Sequence, residues 1–142
     1  MVHHTKDKGD LGVAKAYADL VGKGYVVLTP MSEHTPFDLV AYKHGVFVRV
    51  QVKFRTMNST GALEVEFKSG WSDRHGSHKR LIDKCEVDVY CLYCPDTDTC
   101  YYLRPQDHGT CVTLRITPSR SNQRAGVWFA SEFLEVPEVT PS

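Results

Sequence analysis

The chain has 142 residues, 42% hydrophobic and 24% charged, enough apolar material for one domain with a real core and too balanced for an intrinsically disordered chain. Its 17 Lys and Arg offset 17 Asp and Glu, so the net charge is zero and any surface for nucleic acid has to be local. No apolar run approaches the roughly 20 residues of a membrane span, the polar start is no signal peptide, and five cysteines, an odd number, read as reduced thiols of a cytoplasmic protein.

In chain order, Asp10 reads as the N-cap of a helix over residues 11–23. Leu11, Ala14, Tyr17, Ala18 and Val21 recur at helical spacing and form the face expected against a sheet. Gly24 ends the helix, and residues 25–29 form a short strand closed by Pro30. A loop over 31–36 leads to a hairpin with strands at 37–42 and 46–54 around Lys43, His44 and Gly45. Its second strand alternates strictly: Val46, Val48, Val50, Val52 and Phe54 on one face, Arg49, Gln51, Lys53 and Arg55 on the other.

Residues 62–68 alternate as another strand, with Glu64 and Glu66 on its solvated face or as auxiliary acids. The stretch 69–80 shows no period, and residues 81–85 suit a short helix. A hairpin follows, 87–94 and 100–103 around Pro95–Asp98, then a loop or helical turn over 105–109. A strand over 112–117, a basic loop over 118–126, a short strand over 127–130, a helical turn over 131–134 and a frayed tail from 137 complete the chain. Cys91 and Cys94 have zinc-knuckle spacing, but in a strand such a pair points to opposite faces, so both read as buried small hydrophobes.

The chemistry concentrates in the central hairpin. Asp38, at the start of its first strand, faces the same place as Gln51 and Lys53 of the second. Asp38 can ligate Mg²⁺, Val52 can lend its carbonyl, Gln51 can offer an amide oxygen, and Lys53 can position a water and offset phosphate charge. With an amide for a second acid, the site carries one less negative charge, binds metal more weakly and repels phosphate less. The alternative is an ordinary exposed hairpin face. Arg49 and Arg55 flank the three as phosphate contacts or solvated charges. Two basic stretches are candidate DNA contacts: Trp71, Arg74, His75, His78, Lys79 and Arg80 in one, Arg120, Asn122, Gln123 and Arg124 in the other. The second reads equally as a polar turn.

The Pro36-Phe37-Asp38 run with Gln51-Val52-Lys53 resembles the PD-(D/E)XK nuclease motif, with a Phe inserted and Gln in place of the second acid. KGDLG, GYVVLTP, FDLV, VRVQVK, YCLYCPDTDTCYYL and LRITPSRSNQ extend the likeness over residues 8–133, and the chain is similar to group I intron-encoded homing endonucleases of the PD-(D/E)XK type. The resemblance implies a restriction-endonuclease-like α/β fold, a mixed sheet flanked by helices, as one domain over 1–142. It further implies Mg²⁺-dependent, site-specific cleavage of double-stranded DNA by a homo-oligomer, a dimer at least and a tetramer by resemblance. The family's first helix usually presents a Glu at the position of Val13; Asp10, one turn earlier, is the metal ligand expected to stand in. A Holliday-junction resolvase shares the motif, and the change at Val13 also suits a weakened DNA-binding module.

Overall fold

The computed structural model describes residues 5–139, so the end of the expected frayed tail lies outside the described residues. One α-helix, α1 (Thr5–Gly22), precedes ten strands. These are β1 (Val26–Leu28), β2 (Leu39–Lys43), β3 (Val46–Phe54), β4 (Ala62–Glu66), β5 (Lys68–Asp73), β6 (Gly76–Leu81), β7 (Val89–Cys94), β8 (Thr99–Leu103), β9 (Cys111–Arg115) and β10 (Trp128–Phe129).

The helix starts five residues before Asp10, which is therefore an exposed interior position and not the N-cap. Asp7 occupies the first turn, where the helix dipole favours a carboxylate. The buried stripe also differs from the expected one. Gly12, Ala16 and Leu20 face the sheet, while Tyr17 and Val21 are 46% and 49% exposed. Close approach decides the face: a Cβ on Gly12 would already sit 3.5 Å from Val52 Cγ1, so the small-residue stripe brings the helix against β3 and the bulkier one cannot. The C-terminus follows expectation. Gly24 takes φ +90°, with Gly24 N–H donating to Val21 and Tyr25 N–H to Leu20, each at 3.0 Å.

The main sheet runs β1-β2-β3-β7-β8, with β3 and β7 parallel and the other pairs antiparallel. The β2–β3 turn is the two-residue His44-Gly45, both at positive φ, as a tight hairpin requires. Val48, Val50 and Val52 of β3 meet Ala16 and Leu20 of α1 in a first core, at about 1.5–3 kcal/mol for each fully buried aliphatic side chain. Tyr102 Oη donates to Asp19 at 2.6 Å and ties the helix to β8.

The opposite face of β7 and β8 is covered by a three-stranded sheet, β10-β9-β4, where a flanking helix was expected. Leu63, Val65 and Phe67 pack there on Tyr90, Leu92 and Leu103 in a second core, so all six residues of β7 are buried. Cys91 falls in the first core and Cys94 in the second, on opposite faces as a strand demands.

Two local expectations are corrected. Residues 69–80, read as aperiodic, lie within the β5–β6 hairpin, which pairs Trp71 with His78 and Ser69 with Arg80. Both faces of this ribbon are largely exposed, so no hydrophobic alternation marks it in the sequence. Residues 81–85 form no helix: Ile82 N–H bonds the Phe67 carbonyl at 3.1 Å and continues the ribbon's pairing by one rung.

Candidate active site

The small sheet covers only β7 and β8, which leaves β2 and β3 open on that side beneath the β5–β6 ribbon. A cleft of about 1080 Å³ lies there, and Asp38, Gln51, Lys53 and Tyr90 line it together with Lys68, Trp71 and Arg80 from the ribbon. The three hairpin residues expected to converge do so.

Asp38 sits just before β2. Its N–H donates to the Val50 carbonyl, and its Oδ2 accepts from the Val52 N–H, both at 2.9 Å. A side chain thus takes the rung where β2 is absent, which fixes the carboxylate against β3. Burial raises the Asp38 pKa above the usual carboxylate value, outweighing the Val52 N–H and the Lys53 charge. Burial lowers the Lys53 pKa; Arg55 and Lys79 add to this and Asp38 opposes it. Among the described residues Lys53 Nζ reaches only the Lys68 carbonyl, at 3.5 Å. Both charges are short of solvation, the condition in which a carboxylate takes a cation and an ammonium takes an anion.

Among the described residues, no three His, Cys, Asp or Glu side chains gather to hold a metal ion. Asp38, the Gln51 amide and the Val52 carbonyl are nonetheless all-oxygen donors around one carboxylate. That fits Mg²⁺, which usually takes one or two carboxylates and keeps several waters. Asp10 is exposed on α1, and no α1 residue lines the cleft. Val13 is half-buried and packs against the first core.

Arg49 is committed elsewhere. Its Nε and Nη2 each reach the Asp88 carboxylate at 3.0 Å, and its N–H does so at 2.8 Å. It therefore braces β3 and is not a free phosphate contact. Burial alone would raise the Asp88 pKa, but the Arg49 hydrogen bonds and charge win and hold it below the usual 3.8. A depressed carboxylate pKa stabilises the fold above the unfolded value and loses that contribution as pH falls through the folded one. Asp88→Asn is expected to cost about 1–2 kcal/mol at neutral pH, discounted for screening because the Arg49 side chain is 37% exposed. Denaturant melts should show that gap closing below about pH 4. Arg55 turns its Nη1 to the Phe54 carbonyl at 3.0 Å.

The ribbon carries the first basic group. Trp71 stacks on His78 with centroids 5.2 Å apart, and the Arg80 guanidinium lies 5.7 Å from the Trp71 ring. His78 pairs with Asp73 at 3.0 Å, and Arg74 and His75 form the tip. Lys79 is near enough for its charge to act on Lys53. The second group does not line the cleft. Arg120, Asn122, Gln123 and Arg124 lie in an exposed turn; the Gln123 amide donates to the Ala125 carbonyl at 3.1 Å, and Arg124 stacks 5.6 Å from the Phe129 ring.

The sequence does not mark Lys68 or Asp88 as site residues, and it reads Tyr90, with Tyr93, Tyr101 and Tyr102, as packing or subunit contact. Lys68, Asp88 and Tyr90 each owe their place to pairing between segments far apart in the chain. No local pattern sets Tyr90 beside Gln51 or Asp88 under Arg49.

A mixed sheet that presents an acid, an amide and a lysine from one hairpin, backed by a helix, defines the restriction-endonuclease-like class. The chain belongs to the PD-(D/E)XK endonuclease family, whose profile matches residues 3–136, and it is a DNA endonuclease of that family. Nucleases of this family typically use divalent metal ions. The fold is similar to the solved structure of a bacterial homing endonuclease, I-Ssp6803I, at 21% identity and a TM-score of 0.74, over 92% of this chain and 88% of that one. No curated protein sequence matches the chain.

Proposed function

We propose that the chain is a Mg²⁺-dependent endonuclease that cuts double-stranded DNA at a specific site, as in intron homing. The observation that carries this reading is the Asp38 carboxylate, pinned by the Val52 N–H in the same cleft as the Lys53 ammonium. Asp38 would hold the metal with the Val52 carbonyl and the Gln51 amide, and the metal would supply an activated water and charge relief. Lys53 orients that water and faces the phosphate. One chain offers one such site, so cutting both strands calls for a homo-oligomer, at least a dimer and, on the family resemblance, a tetramer. A cytoplasmic location agrees with the free cysteines; among the described residues no helix is long and apolar enough to cross a membrane.

The test is single-turnover cleavage of linear, branched and mismatched duplexes with Mg²⁺. Preference for one linear sequence supports homing-type cleavage. Shape-selective cleavage without sequence preference supports a resolvase, and binding without cleavage supports a DNA-binding module.

The ribbon is the preferred DNA contact because it lines the cleft with Trp71 and Arg80, and Lys79 lies near enough for its charge to act on Lys53. Lys79→Ala and Arg80→Ala are each expected to weaken binding to all sequences alike, and to flatten the slope of log affinity against log salt by about 1. A salt titration by fluorescence anisotropy reads this; an unchanged slope would place the phosphates elsewhere.

On the family resemblance a Glu usually stands where this chain has Val13, which packs at the edge of the first core and does not itself line the cleft. Val13→Glu is expected to raise cleavage about tenfold at limiting Mg²⁺, with the gain shrinking as Mg²⁺ saturates. Equal rates across a Mg²⁺ titration would show that position 13 does not address the metal.

A further inference from the structure

One polar atom of the cleft has no role in the reading above. Tyr90, on β7, is fully buried and is the register partner of Gln51 on β3, so both side chains leave the same face of the sheet. Its ring packs edge-on against Phe67, with centroids 5.0 Å apart at 76°. Its hydroxyl is closed to solvent and has no hydrogen-bond partner among the described residues, while the side chain lines the cleft of Asp38, Gln51 and Lys53.

The other buried tyrosines behave differently. Tyr93 donates to Asp98 at 2.7 Å, Tyr102 to Asp19 at 2.6 Å, and Tyr101 pairs with Thr97 at 3.0 Å. Buried tyrosine hydroxyls usually find a partner, and a phenylalanine at position 90 would fill the same volume without desolvating a polar group. The unpaired hydroxyl, just beneath the cleft surface, is therefore intelligible as half of a contact whose other half arrives with a ligand, the side chains over it shifting enough to admit an oxygen.

Resting on the nuclease reading, we propose that Tyr90 is a further catalytic residue whose hydroxyl donates a hydrogen bond to a non-bridging oxygen of the scissile phosphate. The surroundings favour that acceptor. Lys53 and Arg55, the nearby cations, have no lone pair to offer. The Asp38 carboxylate is engaged by Val52 and, in the working enzyme, by the metal. An ordinary phenol keeps its proton at neutral pH, so Tyr90 acts as a neutral donor, with no bond to it made or broken. With Lys53 it gives the pentavalent phosphate two donors already in place before charge builds on its oxygens.

The test compares wild type with Tyr90→Phe, which keeps the ring and its contact with Phe67. The variant should unfold at the wild-type temperature or above it and bind target duplex in Ca²⁺ as wild type does. It should cleave about 100-fold more slowly in single turnover with Mg²⁺. A stereospecific phosphorothioate at the scissile position gives a second reading, since sulfur accepts hydrogen bonds poorly. Sulfur at the contacted oxygen should slow wild type more than it slows Tyr90→Phe. Wild-type cleavage by Tyr90→Phe, an equal sulfur penalty in both proteins, or a lowered unfolding temperature that accounts for the lost rate would each overturn the assignment. If Asp38→Asn and Lys53→Met cleave like wild type, it is the nuclease site itself that fails, a result distinct from any behaviour of Tyr90.

Discussion

Asp38→Asn is expected to slow DNA cleavage about 1,000-fold, equivalent to about 4 kcal/mol of transition-state stabilisation, while leaving the fold intact. Asparagine is isosteric, and its amide oxygen can still accept the Val52 N–H that replaces the missing β2 rung. What it removes is the negative charge. With Gln51 already neutral, Asp38 is the only carboxylate among the three converging hairpin residues, so its loss leaves a metal only dipoles at that hairpin. Single-turnover cleavage with a parallel thermal melt separates the two effects. A variant that cleaves within tenfold of wild type at saturating Mg²⁺ would remove Asp38 from the metal's coordination.

Lys53→Met is expected to move activity and stability in opposite directions. The ammonium is largely buried, and its charged form is disfavoured by burial and by the neighbouring cations Arg55 and Lys79. Methionine fills much of the same space without a charge. The variant should gain on the order of 1 kcal/mol in stability and lose about 100-fold in cleavage rate. The pH dependence has a definite sign. A lysine pKa lowered by folding means that the unfolded chain binds the proton more tightly, so wild type gains stability as pH rises from the lowered value towards 10.5. The margin of the methionine variant should narrow over that window. A variant less stable than wild type at neutral pH would mean that Lys53 is structurally paired and not held ready for an anion.

The central hairpin is legible in the sequence because two independent signals agree there. Strict alternation from Val46 to Phe54 assigns the faces, and the His44-Gly45 turn sets the register that brings Asp38 back beside Gln51 and Lys53. The helix was found but its face was misjudged. Periodicity counts apolar residues, whereas the packing selected Gly12 and Ala16 because they let α1 lie close on Val52. The ribbon escaped notice because a strand pair exposed on both faces leaves no alternation to find. Arg49 looked free on its strand, and only the distant Asp88 reveals that it is not. Tyr90 is the same kind of case: parallel pairing of β3 with β7 sets it beside Gln51 across 39 residues of chain. Local chemistry was therefore readable, and chemistry assembled by long-range pairing was not.

Anomalous diffraction from Mn²⁺ in crystals grown with target duplex would locate the metal outright. A peak is expected within about 2.2 Å of an Asp38 carboxylate oxygen, with the Lys53 ammonium against the adjoining phosphate. A metal bound instead along the outer carboxylates Glu33, Asp83 and Glu86, with Asp38 and Lys53 away from the phosphate, would contradict it.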